Sequence, residues 1–127
     1  MGKRILVVEP SPTLRGILEM ELQRQQHQVV LFENYAAAVQ AFPRFQTEPP
    51  DVALVALDSE SAESVQVVMR LRAMFAQTLL IMMTIQEEGQ QLIVQRIRGT
   101  IQAILLIKPF SIKDVLRLVA GSVPSEQ

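Results

Sequence analysis

Short, almost continuous apolar runs alternate along this chain with longer segments in which apolar residues recur every three or four positions. The runs are too short for buried helices, and they lack the polar alternation of a strand with one solvent-facing side. They therefore predict strands that are buried on both faces, as in a parallel sheet. The predicted strands are 4–8, 28–32, 51–58, 78–84 and 103–107.

The intervening segments carry the start and stop signals of helices. Ser11 followed by Pro12 starts a helix that runs to about residue 26, because serine caps helices and proline suits their first turn. Ser111 with Asp114 is close to a capping box for the last helix. Segment 86–91 is polar and predicts a solvated loop that leads into the fourth helix. The other predicted caps and stops are Asn34, Pro43, Ser61, Gly99 and Gly121.

Five strands that alternate with five helices predict an α/β fold of (βα)5 type. Right-handed crossovers place the helices on both faces of a doubly wound parallel sheet, and the flavodoxin-like strand order 2-1-3-4-5 is its natural closure. In such sheets ligands bind at the carboxyl ends of the strands. We expect one domain over residues 1–121 and a flexible tail or the start of a linker over 122–127.

Composition narrows the function classes. The chain has 127 residues, 49% of them hydrophobic and 20% charged, which is typical of a globular domain. Its net charge of -1 and scattered basic residues predict no binding to nucleic acid or to a membrane surface. Cysteine is absent, which excludes disulfides, thiolate metal sites and a cysteine nucleophile. The first apolar run is too short for a signal peptide, so we expect a soluble cytoplasmic protein.

Several sequence elements resemble the receiver domains of bacterial two-component response regulators. The run from Ile5 to Arg15, which includes Glu9 and Pro10, resembles their opening segment. Asp51 with the strand after it, Thr84 at the end of the fourth strand, and the Lys-Pro-Phe element 108–110 after the fifth also match. The resemblance extends to about residue 121, and the Lys-Pro-Phe element is its most specific part.

This resemblance implies a phosphorylation switch. Receivers accept a phosphoryl group from a histidine kinase onto an aspartate at the end of the third strand. A magnesium ion held by acids after the first strand assists, and a Thr or Ser and a Lys contact the phosphoryl oxygens. Such a transfer needs a positioned carboxylate, a divalent cation and a fixed positive charge for the developing anion.

The chain departs from that pattern at the switch site itself. The acceptor position, five residues after Asp51, is Ala56. The acidic pair after the first strand is reduced to Glu9 and Pro10, and the usual aromatic of the fifth strand is Leu105. We therefore expect a degenerate receiver with no catalytic residue and no Mg²⁺, in which Thr84, Lys108 and Pro109 are retained.

Three functions remain open on the sequence. The domain acts through protein contact without phosphorylation, or it accepts phosphate on a non-standard residue such as Asp58, or it senses a small ligand in the crevice at the strand ends. In the first case we expect Lys108 to pair with Glu9 or Asp58, and the Lys108-Pro109 bond to be cis.

A contact surface is predicted on the fourth helix, fifth strand and fifth helix. Without a phosphoryl group this face is expected to keep a single conformation. Its partner would be another signalling protein or a second copy of the chain. The apolar residues predicted to form its centre are Leu92, Ile97, Ile101 and Leu105.

Overall fold

The structure is a computed structural model that describes residues 2–58, 61–89 and 91–121. Within these residues the centre of the fold is one parallel sheet of five strands in the order β2-β1-β3-β4-β5. The predicted fold class and strand order are confirmed. The strands are β1 Arg4–Val8, β2 Gln28–Phe32, β3 Val52–Ala56, β4 Leu79–Ile85 and β5 Ile104–Lys108.

Helices connect the strands on both faces of the sheet. They are α1 Pro12–Arg24, α2 Tyr35–Ala41, α3 Ala62–Met74, α4 Leu92–Ile101 and α5 Ile112–Ala120. A 3-10 helix, Phe42–Phe45, follows α2, and a single helical turn, Gln86–Gly89, separates β4 from α4. That turn replaces the solvated loop predicted for this segment, and the buried position of Gly89 anchors it to the sheet. The tail predicted for residues 122–127 lies outside the described residues.

Most predicted helix starts are confirmed by their caps. The Ser11 Oγ accepts a hydrogen bond from the N–H of Leu14, and the Asn34 Oδ1 accepts one from Ala37. Two details differ. Asp114 does not complete a capping box, because the Ser111 Oγ accepts from the N–H of Lys113.

The predicted stop at Gly99 is also wrong. Helix α4 continues to Ile101 and ends at Gln102, which adopts the left-handed conformation with φ 55°. The buried side chain of Ile101, 2% exposed, explains the extra turn, because it extends the apolar face of the helix into the core.

Two apolar clusters, one on each face of the sheet, form the core. Helices α2, α3 and α4 cover one cluster, and α1 and α5 cover the other. All five residues of β3 are buried, as expected for the central strand of a parallel sheet. Strand alternation sends Ala56 to the side of α1 and α5, and Leu57 to the opposite side. Among the described helices, none has the length and hydropathy required to cross a bilayer.

Candidate functional site

The carboxyl ends of four strands bring the predicted site residues together. Glu9 directly follows β1, Ala56 ends β3, and Lys108 ends β5. In the sheet, Ala56 pairs with Met83 and Ile85 pairs with Lys108, so the last residues of these strands lie side by side. They enclose a crevice of about 260 Å³. Its lining residues are Leu57, Asp58, Met83, Thr84, Ile85 and Lys108.

An ion pair occupies the floor of this site. The Lys108 Nζ lies 2.9 Å from the Glu9 Oε1, as the sequence predicted for this lysine. The other carboxylate oxygen of Glu9 accepts the N–H of Ser11 at 2.9 Å. The Glu9 side chain is 2% exposed and that of Lys108 is 27% exposed, so the pair is largely shielded from water. The predicted cis bond between Lys108 and Pro109 is also present.

Arg15 fixes the loop that carries Glu9 and Pro10. Its Nη1 donates to the carbonyl oxygen of Glu9 at 2.9 Å and to that of Pro10 at 3.3 Å. Its Nη2 lies 3.7 Å from the Glu33 Oε2. The arginine therefore holds the β1–α1 loop through the main chain, and the Glu9 carboxylate stays directed at Lys108.

Tyr35 closes the site from the side of α2, a role that the sequence analysis missed. Its hydroxyl donates a 2.8 Å hydrogen bond to the carbonyl oxygen of Ala56, the last residue of β3. Burial raises the pKa of Tyr35 to about 12, and the negative charges of Glu9, Asp58 and Glu63 add to the effect. The phenol therefore remains a donor. The available sequence signal was a lone tyrosine directly after a helix cap at the carboxyl end of β2.

Asp58 lines the crevice, and Ser64 holds its main chain in place. The N–H of Asp58 donates to the Ser64 Oγ at 3.1 Å, and that hydroxyl donates back to the carbonyl oxygen of Asp58 at 2.7 Å. Ser64 is fully buried, and Asp58 is exposed. The sequence alone does not predict this contact, since it depends on how α3 meets the loop after β3.

Thr84 is sealed beneath the helical turn 86–89. It is 2% exposed, and its Oγ1 makes no hydrogen bond to any described residue. Gly89 lies so close above it that an added Cβ would be 3.5 Å from both the Thr84 Cγ2 and the Leu105 Cδ2. The turn is tied to α4, because the Gln95 Nε2 donates to the carbonyl oxygen of Gly89 at 2.6 Å. The turn thus covers the methyl side of Thr84, and the residue also lines the crevice.

The donor set does not fit a magnesium ion of the receiver type. Mg²⁺ requires oxygen ligands in a near-octahedral arrangement. Glu9 already uses both carboxylate oxygens, Pro10 has no side-chain oxygen, and Ala56 offers only a methyl group. No cluster of three or more His, Cys, Asp or Glu side chains suited to a metal ion occurs in the described residues.

The predicted contact surface is only partly exposed. Ile97 and Ile101 are 9% and 2% exposed, so placing them at its centre was wrong. Both belong to the inward face of α4, where helical spacing aligns them with the buried Val94. Leu92 and Ile93, 68% and 56% exposed, are the apolar residues that α4 presents outward. Leu105 on β5 is partly buried and packs against the apolar cluster that α2, α3 and α4 cover.

Comparisons with known proteins identify the fold. No protein-family model matches the chain, and no curated protein is significantly similar to it. Solved structures are similar over nearly the whole chain. A CheY-like response regulator receiver domain protein from Methanospirillum hungatei has 17% identity and a TM-score of 0.79, with 96% of this chain and 94% of that one covered.

Two further structures agree. An adenylate cyclase from Rhodopirellula baltica has 19% identity and a TM-score of 0.81, covering 95% of this chain and 87% of that one. A response regulator from Thermotoga maritima, solved in complex with Mg²⁺ and BeF, has 20% identity and a TM-score of 0.71, covering 95% and 99%. This chain therefore has the fold of response-regulator receiver domains.

Proposed function

We propose that this chain is an atypical receiver domain, which takes part in two-component signal transduction through protein contact and without aspartate phosphorylation. The observation that most supports this function is the Lys108–Glu9 ion pair beside Ala56. The lysine that would contact a phosphoryl group is already neutralised by the acid that would help to hold the metal. The charges of both side chains are therefore balanced without a phosphoryl group or a metal ion.

The chemistry of phosphoryl transfer supports the same proposal. A methyl group has no lone pair, so Ala56 cannot attack phosphorus, and the remaining acids do not form a magnesium site. Catalysis of this transfer rests on positioned oxygens and a cation that offsets the developing charge. We accordingly assign the domain no catalytic activity and no resident cofactor.

The turn that covers Thr84 is also closely packed against β5. Turn 86–89 packs against Thr84 and Leu105, and a Cβ on Gly89 would lie 2.6 Å from the Ile107 Cδ1. Close-packed protein interiors occupy discrete arrangements, and a ligand that distinguishes two of them is needed to shift between them. We infer that the face next to this turn keeps one conformation, so its contacts are constitutive.

The partner contact is assigned to the outward side of α4 with the neighbouring part of β5. Leu92 and Ile93 are the most exposed large apolar residues in the described chain. Contiguous exposed apolar surface on a domain marks a site of protein contact. Arg96 lies on the same exposed side of α4, so an acidic, apolar surface on another signalling protein would complement it.

A second candidate is phosphorylation of Asp58, which lines the same crevice as Thr84 and Lys108. Against it, Asp58 lies beyond the end of β3, and the Lys108 Nζ is directed at Glu9. A small-ligand sensor is the third candidate. The crevice of about 260 Å³ would limit it to a small molecule.

Titration calorimetry with Mg²⁺ and fluoroberyllate tests the proposal. We expect no joint saturable binding to the natural sequence. The double variant Pro10→Asp/Ala56→Asp restores two oxygen donors, and we expect it to bind both ligands, which shows that the assay can detect a functional site. Mass spectrometry after incubation with acetyl phosphate forms the second arm. A phosphorylated natural protein whose modification disappears in Asp58→Asn would establish the second candidate instead.

A further inference from the structure

Strand β2 is an edge of the sheet with unpaired main-chain groups. The N–H of Gln28 donates to the carbonyl oxygen of Lys3, and the N–H of Glu9 donates to that of Phe32. Main-chain groups alternate in direction along a strand, so residues 28, 30 and 32 face β1. The N–H and C=O groups of Val29 and Leu31 therefore point away from the sheet, and no described strand lies beyond them.

This edge lacks the features by which proteins usually block pairing. Charged residues, prolines and bulges commonly protect an exposed edge strand. Strand β2 has the sequence QVVLF and contains none of these residues. The opposite edge, β5, ends in Lys108, which makes it a poorer template.

The helix layer leaves β2 partly uncovered. Helix α2 follows β2 and packs mainly against α3, and an open hollow of about 220 Å³ remains beside Val30. Val30 is 40% exposed. A strand that approached this edge would meet the outward main-chain groups of Val29 and Leu31 and bury the Val30 side chain.

We propose that a second copy of the chain pairs with this edge, antiparallel and about a two-fold axis at Val30. In this register Val29 faces Leu31 of the second copy, and Leu31 faces its Val29. Both are positions with outward N–H and C=O groups, so each pair exchanges two hydrogen bonds and four form in total. The two sheets then join into one continuous sheet, and the edge is self-complementary, as a two-fold interface requires.

The polar side chains that flank β2 favour this occupant, because one is a hydrogen-bond donor and the other an acceptor. The same register places His27 opposite Glu33 of the second copy at both ends of the paired strands. The Nδ1 of His27 accepts the N–H of Lys3 at 3.0 Å, so the neutral ring carries its proton on Nε2, and that N–H is a hydrogen-bond donor. The Glu33 side chain, whose Oε2 lies 3.7 Å from the Arg15 Nη2, is 71% exposed and can also accept a hydrogen bond from that N–H.

The dimer is expected to be weak. Two five-residue strands bury less surface than the roughly 1,600 Å² of a standard interface. Association should therefore depend on protein concentration. This interface is independent of the contact proposed for α4, and the two can be tested separately.

Disulfide trapping tests the register directly, because the chain has no cysteine of its own. In the proposed pairing, the two Val30 residues form a non-hydrogen-bonded pair with a Cα separation of about 4.5 Å, within the range that a disulfide can bridge. We expect Val30→Cys treated with diamide to yield mainly cross-linked dimer. Met20→Cys on α1, where Met20 is 52% exposed, reports random collision and should give little dimer.

A third variant, Ile93→Cys, probes self-association through α4. Efficient cross-linking of Ile93→Cys with only collisional cross-linking of Val30→Cys would overturn the proposal. Sedimentation at rising concentration provides an independent measurement. Val30→Lys puts like charges opposite each other and should abolish the dimer, whereas Val30→Thr keeps a β-branched residue and should retain it. A natural protein that remains monomeric at millimolar concentration, or equal association of both variants, would also rule the edge contact out.

Discussion

Lys108 and Glu9, separated by 99 positions in the sequence, form a contact of 2.9 Å between Nζ and Oε1 at the ends of β5 and β1. The carboxylate is almost fully buried, so the lysine is the charge that makes its burial tolerable. This pair joins two strands that are not neighbours in the sheet. The ion pair therefore links the carboxyl ends of β1 and β5 across the two strands that lie between them.

Removing the lysine should destabilise the fold. Lys108→Met leaves the Glu9 carboxylate buried without its cation, and we expect the free energy of unfolding to fall by about 3 kcal/mol. The double variant Glu9→Gln/Lys108→Met should recover most of that loss, since neither charge then remains. Urea denaturation of Glu9→Gln, Lys108→Met and the double variant measures the coupling energy between the two side chains.

A surface ion pair provides the control for this cycle. The Arg117 Nη1 lies 3.5 Å from the Asp114 Oδ1, and the two side chains are 51% and 47% exposed. Arg117→Met should cost only about 0.5 kcal/mol, because water screens such pairs. A loss for Lys108→Met that is no larger than this would show that the Lys108–Glu9 pair contributes little.

Thr84 provides the second prediction, because its buried Oγ1 has no hydrogen-bond partner among the described residues. An unpaired buried hydroxyl is unfavourable, so the nearly isosteric substitution Thr84→Val should leave stability unchanged or raise it by about 1 kcal/mol. Thermal and urea unfolding measure the effect.

Thr78 is the matched control. It is also buried, but its Oγ1 donates a 2.7 Å hydrogen bond to the carbonyl oxygen of Pro50. Thr78→Val should therefore destabilise by about 1 to 2 kcal/mol, because it leaves that carbonyl unpaired. Equal losses at both positions would mean that the Thr84 hydroxyl has a stabilising partner after all.

The strand pattern predicted most of the fold because it depends on local chemistry. A run such as VALVA in β3 has apolar side chains on both faces, so both faces must be covered by helices. A cap such as Ser11 acts within one helical turn, so it can be recognised from neighbouring residues. The strand order followed from these elements and from the handedness of crossovers. Boundaries were less predictable: glycine favours a helix end, but the burial of Ile101 carried α4 past Gly99.

The candidate site was predictable where the residues themselves exclude a chemistry. Ala56 cannot accept a phosphoryl group in any fold, and Lys108 near an acid follows from the cost of a buried charge. The contacts of Tyr35 with the carbonyl of Ala56, and of Ser64 with Asp58, depend on how two helices meet the sheet. Likewise, the sequence pattern of α4 placed Ile97 and Ile101 on a contact surface. Only the packing of the helix against the sheet decides that they face the core.

The two glycines around α4 give the third prediction. Gly99 lies inside the helix, and a Cβ added there meets no atom within 4 Å. Gly99→Ala should therefore raise stability by about 1 kcal/mol, because alanine loses less conformational entropy in a helix. Differential scanning calorimetry would record the corresponding rise in melting temperature.

The same substitution at Gly89 should not stabilise. A Cβ there would lie 2.6 Å from the Ile107 Cδ1, so the isoleucine side chain must move and the packing over Thr84 must change. We expect Gly89→Ala to lose stability relative to Gly99→Ala. A gain of equal size at both positions would show that turn 86–89 is not tightly packed against β5.

Tyr35 allows a spectroscopic prediction, since it is the only tyrosine and the chain has no tryptophan. In the folded protein its pKa is raised to about 12, from an ordinary value of 10.0, by burial and the nearby carboxylates. The folded state therefore binds more protons than the unfolded state between these values. It follows that stability falls as pH rises from the ordinary value toward the raised one.

Tyrosinate absorbance in the near ultraviolet measures this titration directly. We expect the native protein to titrate near the raised pKa and the urea-unfolded protein near the ordinary one. Tyr35→Phe should remove the fall in stability between the two pKa values. At neutral pH it should lower the free energy of unfolding by about 1 kcal/mol, because the hydrogen bond to the Ala56 carbonyl is lost. A native phenol that ionises at its ordinary pKa would mean that Tyr35 is exposed, and that it does not hold the carbonyl of Ala56.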